Sequence, residues 1–127
     1  MNVVDSSAWL EYLADGPNAE NFSAPLRDLP SLIVPVISIY EVFRVVCRQR
    51  GEDLALKAVA LMQQGRVVEL GAAPALEAAR LGMELQLPLA DSIILATARQ
   101  HQALVWTQDE HFSRLPDVRY FPKKPSR

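Results

Sequence analysis

Apolar residues follow two rhythms along this chain. Short unbroken runs rich in β-branched residues alternate with longer stretches whose apolar positions recur every three or four residues. The runs are "NVVD" at 2–5, "SLIVPV" near 32–36, "RVVEL" at 66–70, "ALVW" at 103–106 and "VRYF" at 118–121, and each predicts a strand. Pro35 puts the second run near a strand end or a bulge, because proline cannot donate to a ladder.

The stretches between them predict helices. "SSAWLEYLADG" carries Trp9, Leu10 and Leu13 at helical spacing and stops at Gly16-Pro17. Residues 18–28 predict a weaker helix ending before Pro30. In "SIYEVFRVVCRQRGE", Ile39, Val42, Val45 and Val46 share one face, Arg44, Arg48 and Arg50 project elsewhere, and Gly51 marks the stop. "EDLALKAVALMQQG" and "APALEAARLGMELQL" predict two more amphipathic helices, the second ending before Pro88. "LADSIILATARQHQ" is apolar around most of its surface, so it should be buried on several sides. "TQDEHFSRL" predicts a loop with at most one helical turn.

Strand and helix alternate without repeats or a linker. That order predicts one α/β domain over residues 1–127, with a parallel sheet between helical layers. At 127 residues, 50% of them apolar, the chain can bury a core without disulfides. Its single cysteine, Cys47, has no partner for an internal bridge and reads as packing in a reducing compartment. The opening residues lack a signal-peptide pattern, and the longest apolar tract is too short to span a bilayer. The expected location is therefore cytoplasmic.

Charge changes the picture further. The net charge of −2 is the sum of −6 over residues 1–113 and +4 over residues 114–127. An acidic body is a poor unaided binder of nucleic acid, since phosphate contacts supply most of that affinity. The basic end "RYFPKKPSR", with 121–127 expected to form a flexible tail, offers either help in binding or simply a solvated terminus.

In open parallel sheets, ligands gather beyond the carboxyl ends of the strands. Asp5 closes the first strand and Asp109 lies three residues past "ALVW". Glu41 falls in the first turn of the helix after the second strand, and Asp91 in the first turn of the helix before the fourth. Each acid has a structural explanation. Asp5 suits an N-cap, Ser38 and Glu41 match a capping box, Asp91 suits a helix N-terminus, and Asp109 suits a turn. Caps need no shared rim, whereas a metal site does. Two carboxylates packed within ~5 Å repel by ~3 kcal/mol at an effective dielectric of 20. Four of them survive together only if some are protonated or a cation sits among them. Oxygen donors of this kind suit Mg²⁺ or Mn²⁺. His101 reads as a helix end, and His111 as surface or packing rather than a ligand.

"VVDSSAWLEYL", "ISIYEV", "LPLADSIILATA" and "LVWTQDEHF" together resemble the PIN-domain nucleases, most of all the toxin subunits of VapBC toxin–antitoxin pairs. The resemblance spans essentially the whole chain, and its acidic positions fall on Asp5, Glu41, Asp91 and Asp109. It implies a three-layer α/β/α sandwich with strand order 3-2-1-4-5, which sets the first and fourth strands side by side. It also implies Mg²⁺- or Mn²⁺-dependent cleavage of RNA, with those four acids as catalytic and metal-binding residues and Asp5 and Asp91 as the best direct ligands. Ser6 and Thr107 would orient that set, and Arg44 and Arg48 offer contacts to RNA unless they form a solvated helix face. The implied partners are a VapB-type antitoxin and a second copy of the chain. Trp9, Tyr12 and Phe43 are candidates for lining the antitoxin groove, or equally for packing.

Other readings fit less well. A haloacid dehalogenase-type phosphatase needs a second aspartate where Ser7 stands, and a receiver domain needs an acidic pair and a late lysine that are missing. A processing nuclease without toxicity and a non-catalytic PIN-like binding module remain open alternatives.

Overall fold

A computed structural model describes residues 1–125. Among these, five strands run β1 (Asn2–Val4), β2 (Leu32–Pro35), β3 (Arg66–Val68), β4 (Leu104–Thr107) and β5 (Val118–Tyr120). Six helices run α1 (Ser6–Leu13), α2 (Ala19–Arg27), α3 (Val36–Arg50), α4 (Glu52–Met62), α5 (Ala72–Leu85) and α6 (Leu89–Gln100). All the strands are parallel, in the order β3-β2-β1-β4-β5. The first and fourth strands are thus neighbours, with Val3 opposite Val105 and Val4 opposite Trp106.

The two faces of the sheet divide its side chains by the period of two. Val3, Ile33 and Val105 point into one core with Ala78 and Leu81 of α5, Ile94 and Leu95 of α6, and Phe112. Val4, Leu32 and Val34 point into the other, with Trp9, Phe22, Val42 and Met62 of α1 to α4. A strand covered on both faces reads as an unbroken apolar run, which is why "NVV" and "LIV" predict strands so directly. Each fully buried side chain of this size contributes about 1.5–3 kcal/mol relative to exposure.

Two glycines serve backbone needs. Gly51 takes a φ of 93° where α3 turns into α4, and it is the one residue between them. Gly82 lets α5 approach α6: a Cβ there would lie 3.3 Å from the Cβ of Ser92, next to Asp91.

Two expectations need correction. Helix α3 begins at Val36, with Pro35 in front of it, so Ser38 is not an N-cap. Proline's fixed φ suits the residue that leads into a helix, and the start moves upstream accordingly. Ser38 is instead fully buried, its hydroxyl has no partner, and there is no capping box with Glu41. Strand β4 continues to Thr107, one residue further than expected. Phe121 and Pro122, the first residues of the expected tail, make contacts with the body of the fold. The Phe121 N–H donates to the Thr107 carbonyl at 2.9 Å, and its ring packs on Phe22 and Trp106. Lys123 and Lys124 are exposed, and residues 126–127 of the expected tail lie outside the described residues. No helix among the described residues is long and apolar enough to cross a membrane.

Candidate active site

Asp5 follows β1 directly and caps α1, its Oδ1 accepting the N–H of Ala8 at 3.0 Å. The cap does not exhaust the carboxylate. Ser7 donates to Oδ1 at 2.8 Å, and Thr107 reaches across from β4 to donate to Oδ2 at 2.7 Å. Asp5 is only 2% exposed. Burial pushes its carboxyl up from 3.8 to about 7, against the pull of these hydrogen bonds and with a further push from the charge on Asp109.

Thr107 also accepts the N–H of Asp109 at 2.8 Å, so one hydroxyl joins the ends of β1 and β4. Asp109 turns the chain as its spacing predicted, Oδ1 accepting the N–H of His111 at 2.9 Å. The turn at Glu110–Phe112 carries the His111 ring back over the site. Its Nδ1 lies 3.0 Å from Asp91 Oδ2 and 3.0 Å from Asp109 Oδ1. Two carboxylate oxygens facing one ring nitrogen favour a proton there, and Asp109 foremost raises the pKa of His111.

Asp91 stands in the first turn of α6, behind Pro88. Burial pushes it up to about 6, Asp109 adds to the rise, and His111 opposes it. Glu41, on α3, accepts from Ser6 Oγ at 2.6 Å, and its charge reaches Asp91. The rim therefore links all four acids through space: Asp5 to Asp109, Asp109 to Asp91, and Asp91 to Glu41.

Ligand atoms of Asp91, Asp109 and His111 all lie within 4.8 Å of one another, a spacing that one cation can bridge. Asp5 and Glu41 stand outside that tightest group. The two carboxylates suit Mg²⁺ or Mn²⁺, and an imidazole donor would tilt the set toward a transition ion such as Mn²⁺. The raised pKa values say the same from the other side, because this rim holds more negative charge than its partly buried setting tolerates unaided.

His111 is exposed, as a surface residue, and its ring nitrogen stands between Asp91 and Asp109; its signal was its place two residues beyond Asp109. Ser7 was also missed as a donor to Asp5. So was Asn18, fully buried, whose Nδ2 donates to Gln108 Oε1 at 3.1 Å and to the Pro122 carbonyl at 2.8 Å. Arg44 and Arg48 are exposed, and Arg44 donates to Tyr40 Oη at 3.2 Å. Trp9 is a core residue, whereas Tyr12 and Phe43 line separate surface clefts.

The family model of the PIN domain matches residues 3–118. The chain belongs to the PIN domain family. Among solved structures, this PIN domain is similar to a toxin–antitoxin complex from Klebsiella pneumoniae. That match has 21% identity and a TM-score of 0.79, covering 97% of this chain and 100% of the other. It is also similar to VapC20 of Mycobacterium tuberculosis, described as a toxin that cleaves the sarcin–ricin loop. There the identity is 18% and the TM-score 0.78, over 98% of this chain and 100% of that one. FitAcB of Neisseria gonorrhoeae shares 22% identity at a TM-score of 0.74, over 95% and 96% of the two chains. At such identities the likeness is one of fold. A search of the curated proteins gives no match.

Proposed function

We propose that this PIN domain is a divalent-metal-dependent endoribonuclease that acts as the toxin of a VapBC-type pair and stops translation by cutting RNA. The observation that carries the reading is the convergence of Asp5, Asp91 and Asp109 on one rim, with Asp5 and Asp91 held near neutrality in their titration. Family membership and the toxin complexes of the same fold support it.

In this reading Asp91 and Asp109 hold an Mg²⁺ or Mn²⁺ ion, with Asp5 completing the set and Glu41 contributing directly or through water. The ion would make a water more acidic and offset charge on the scissile phosphate. Thr107 fixes the rotamer of Asp5, since its hydroxyl occupies Oδ2 at 2.7 Å. Ser6 does the same for Glu41 at 2.6 Å. Asp5 has three donors already, so it presents a single orientation to the pocket. Arg44 and Arg48 follow Glu41 by three and seven residues on α3, about 4.5 and 10.5 Å along its axis, within range of neighbouring phosphates.

The partners in this reading are an RNA substrate, a VapB-type antitoxin and a second copy of the chain, in the cytoplasm. An apolar cleft of 590 Å³ between α3 and α4, lined by Ile39, Phe43 and Val59, offers the antitoxin a seat. Leu76 and Met83 share a face of α5 and are 64% and 75% exposed. With Leu89 at the start of α6, 76% exposed, they offer an apolar face to the second copy.

The test is cleavage of total cellular RNA by purified protein, before and after chelation and after return of Mn²⁺. Cutting that chelation leaves unchanged would end the metal account. Induction in growing cells beside Asp91→Asn separates the alternatives: arrest by the parent alone supports a toxin, and arrest by neither points to processing or to a non-catalytic module.

A further inference from the structure

Exposed cations follow both β2 and β5, the strands on either side of the β1–β4 pair that carries Asp5 and leads to Asp109. On one flank, α3 leaves β2 with Arg44 and Arg48 exposed. On the other, the chain leaves β5 through Phe121 and Pro122 and reaches Lys123 and Lys124, both exposed. Asp5 and Asp109, at the ends of β1 and β4, lie between these flanks in the strand order.

The lysine flank is anchored to the site loop. The Phe121 N–H holds the Thr107 carbonyl at 2.9 Å. Its ring meets Phe22 edge-on at 5.5 Å and stacks on Trp106 at 6.2 Å. The Pro122 carbonyl accepts from Asn18 Nδ2 at 2.8 Å, and the same amide nitrogen donates to Gln108, the residue between Thr107 and Asp109. A buried amide joining two segments 90 and 104 residues away in sequence fixes where the lysines leave the fold. A lysine that leaves the fold from an anchored residue loses less entropy on binding than one far out on a free tail.

We propose that Lys123 and Lys124, positioned by the Asn18 clamp, bind the RNA backbone on the β5 side of the acidic pocket, so that the strand runs along the carboxyl edge of the sheet from α3 to the β5 end. This rests on the nuclease reading. It identifies a second phosphate-binding flank and gives the substrate a direction across the fold.

The experiment measures the rate of cleavage of subsaturating total cellular RNA with Mn²⁺ across a range of KCl concentrations. Parent, Lys123→Ala/Lys124→Ala and Lys123→Arg/Lys124→Arg are compared. Two lost single-strand phosphate contacts should lower the logarithmic salt slope by about 1.4. The alanine pair should also cut about tenfold more slowly at low salt, with the loss in KM rather than kcat, and the arginine pair should restore both. Asn18→Ala, if it remains folded by its thermal melt, should lose part of the salt slope with every lysine still present. A parent that cuts RNA with a slope the alanine pair does not change would overturn the proposal and leave the nuclease reading standing. A parent that cuts no RNA would remove that reading, and the flank with it.

Discussion

Thr107 and Asp5, 102 residues apart, share the shortest bond in the buried part of the rim: Thr107 Oγ1 donates to Asp5 Oδ2 at 2.7 Å. The same hydroxyl receives the N–H of Asp109. Replacing Thr107 with Val keeps the shape and removes both functions. Loss of a partner that orients a metal ligand typically lowers metal affinity or activity 10–100-fold, and a fall of about that size is expected for Thr107→Val. Thr107→Ser keeps the hydroxyl and should stay within a few-fold of the parent. Cleavage rates against Mn²⁺ concentration check the pair, and equal losses in the two variants would refute this role.

If Asp91 holds the ion as proposed, its loss should be more severe. Asp91→Asn keeps size and removes the charge that, with Asp109, draws a cation to the rim. Charge stabilisation by a bound ion amounts to several kcal/mol of the barrier, so cleavage should fall by about 1,000-fold. Isothermal titration with Mn²⁺ should lose its high-affinity phase in the same variant. Normal uptake by Asp91→Asn would move the ion elsewhere.

Stability in the absence of divalent ions should fall as pH rises. Asp5 and Asp91 titrate near 7 and 6 in the folded chain against 3.8 as ordinary aspartates. Between about pH 4 and pH 7 the folded state therefore holds protons that the unfolded chain has released, and the linkage slope is negative. The raised pKa of Asp5 is worth on the order of 4 kcal/mol across that window. Urea melts from pH 4 to 8 should show the decline, and Asp5→Asn should flatten it. Mn²⁺ should raise the melting temperature more at pH 8 than at pH 5. A stability that climbs with pH in metal-free buffer would contradict this account.

Much of the fold was legible because a parallel sheet buries both faces of its strands. "NVV", "LIV" and "LVW" carry no polar alternation and sit between helical periods, which leaves few topologies open. The acids were legible through their place at strand ends. What escaped the sequence was mostly long-range or rotational. The partner of Glu41 is Ser6, 35 residues away, rather than the Ser38 three residues before it, because Pro35 moves the helix start upstream. Asn18 gives no local sign that it bonds Gln108 and Pro122. His111 meets Asp91 only because one short turn swings its ring over that carboxylate. The basic end gives no local sign that Phe121 packs on Trp106.

The exposed face of α5 yields a separate prediction. Leu76 and Met83 are seven residues apart and share one helical stripe. Met83→Glu puts a charge in the middle of that apolar face. If a second copy covers it, sedimentation should show the dimer dissociation constant rising at least about tenfold, a change of 1.4 kcal/mol. The melting temperature of the monomer should hardly move, since Met83 is 75% exposed. A parent that sediments as a monomer at every concentration would dismiss the face as an interface.

His111 offers the most direct view of the site, because its ring reports on two carboxylates at once. Asp109, foremost, holds its pKa above the ordinary 6.5. The sign follows from linkage: a histidine raised in the folded state stabilises the fold fully below about pH 6.5, and that contribution disappears as pH rises through its folded value. Exposure of half the side chain keeps the effect on stability small. The titration itself should be plain in the ring carbon–proton resonances by NMR. In metal-free buffer the His111 midpoint should lie above 6.5. Asp109→Asn should bring it down by removing the main cause. Mg²⁺ should bring it down in the parent as well, because a divalent charge beside the ring disfavours the imidazolium. A midpoint that ignores Mg²⁺ in the parent yet falls in Asp109→Asn would mean that no ion enters between Asp91 and Asp109.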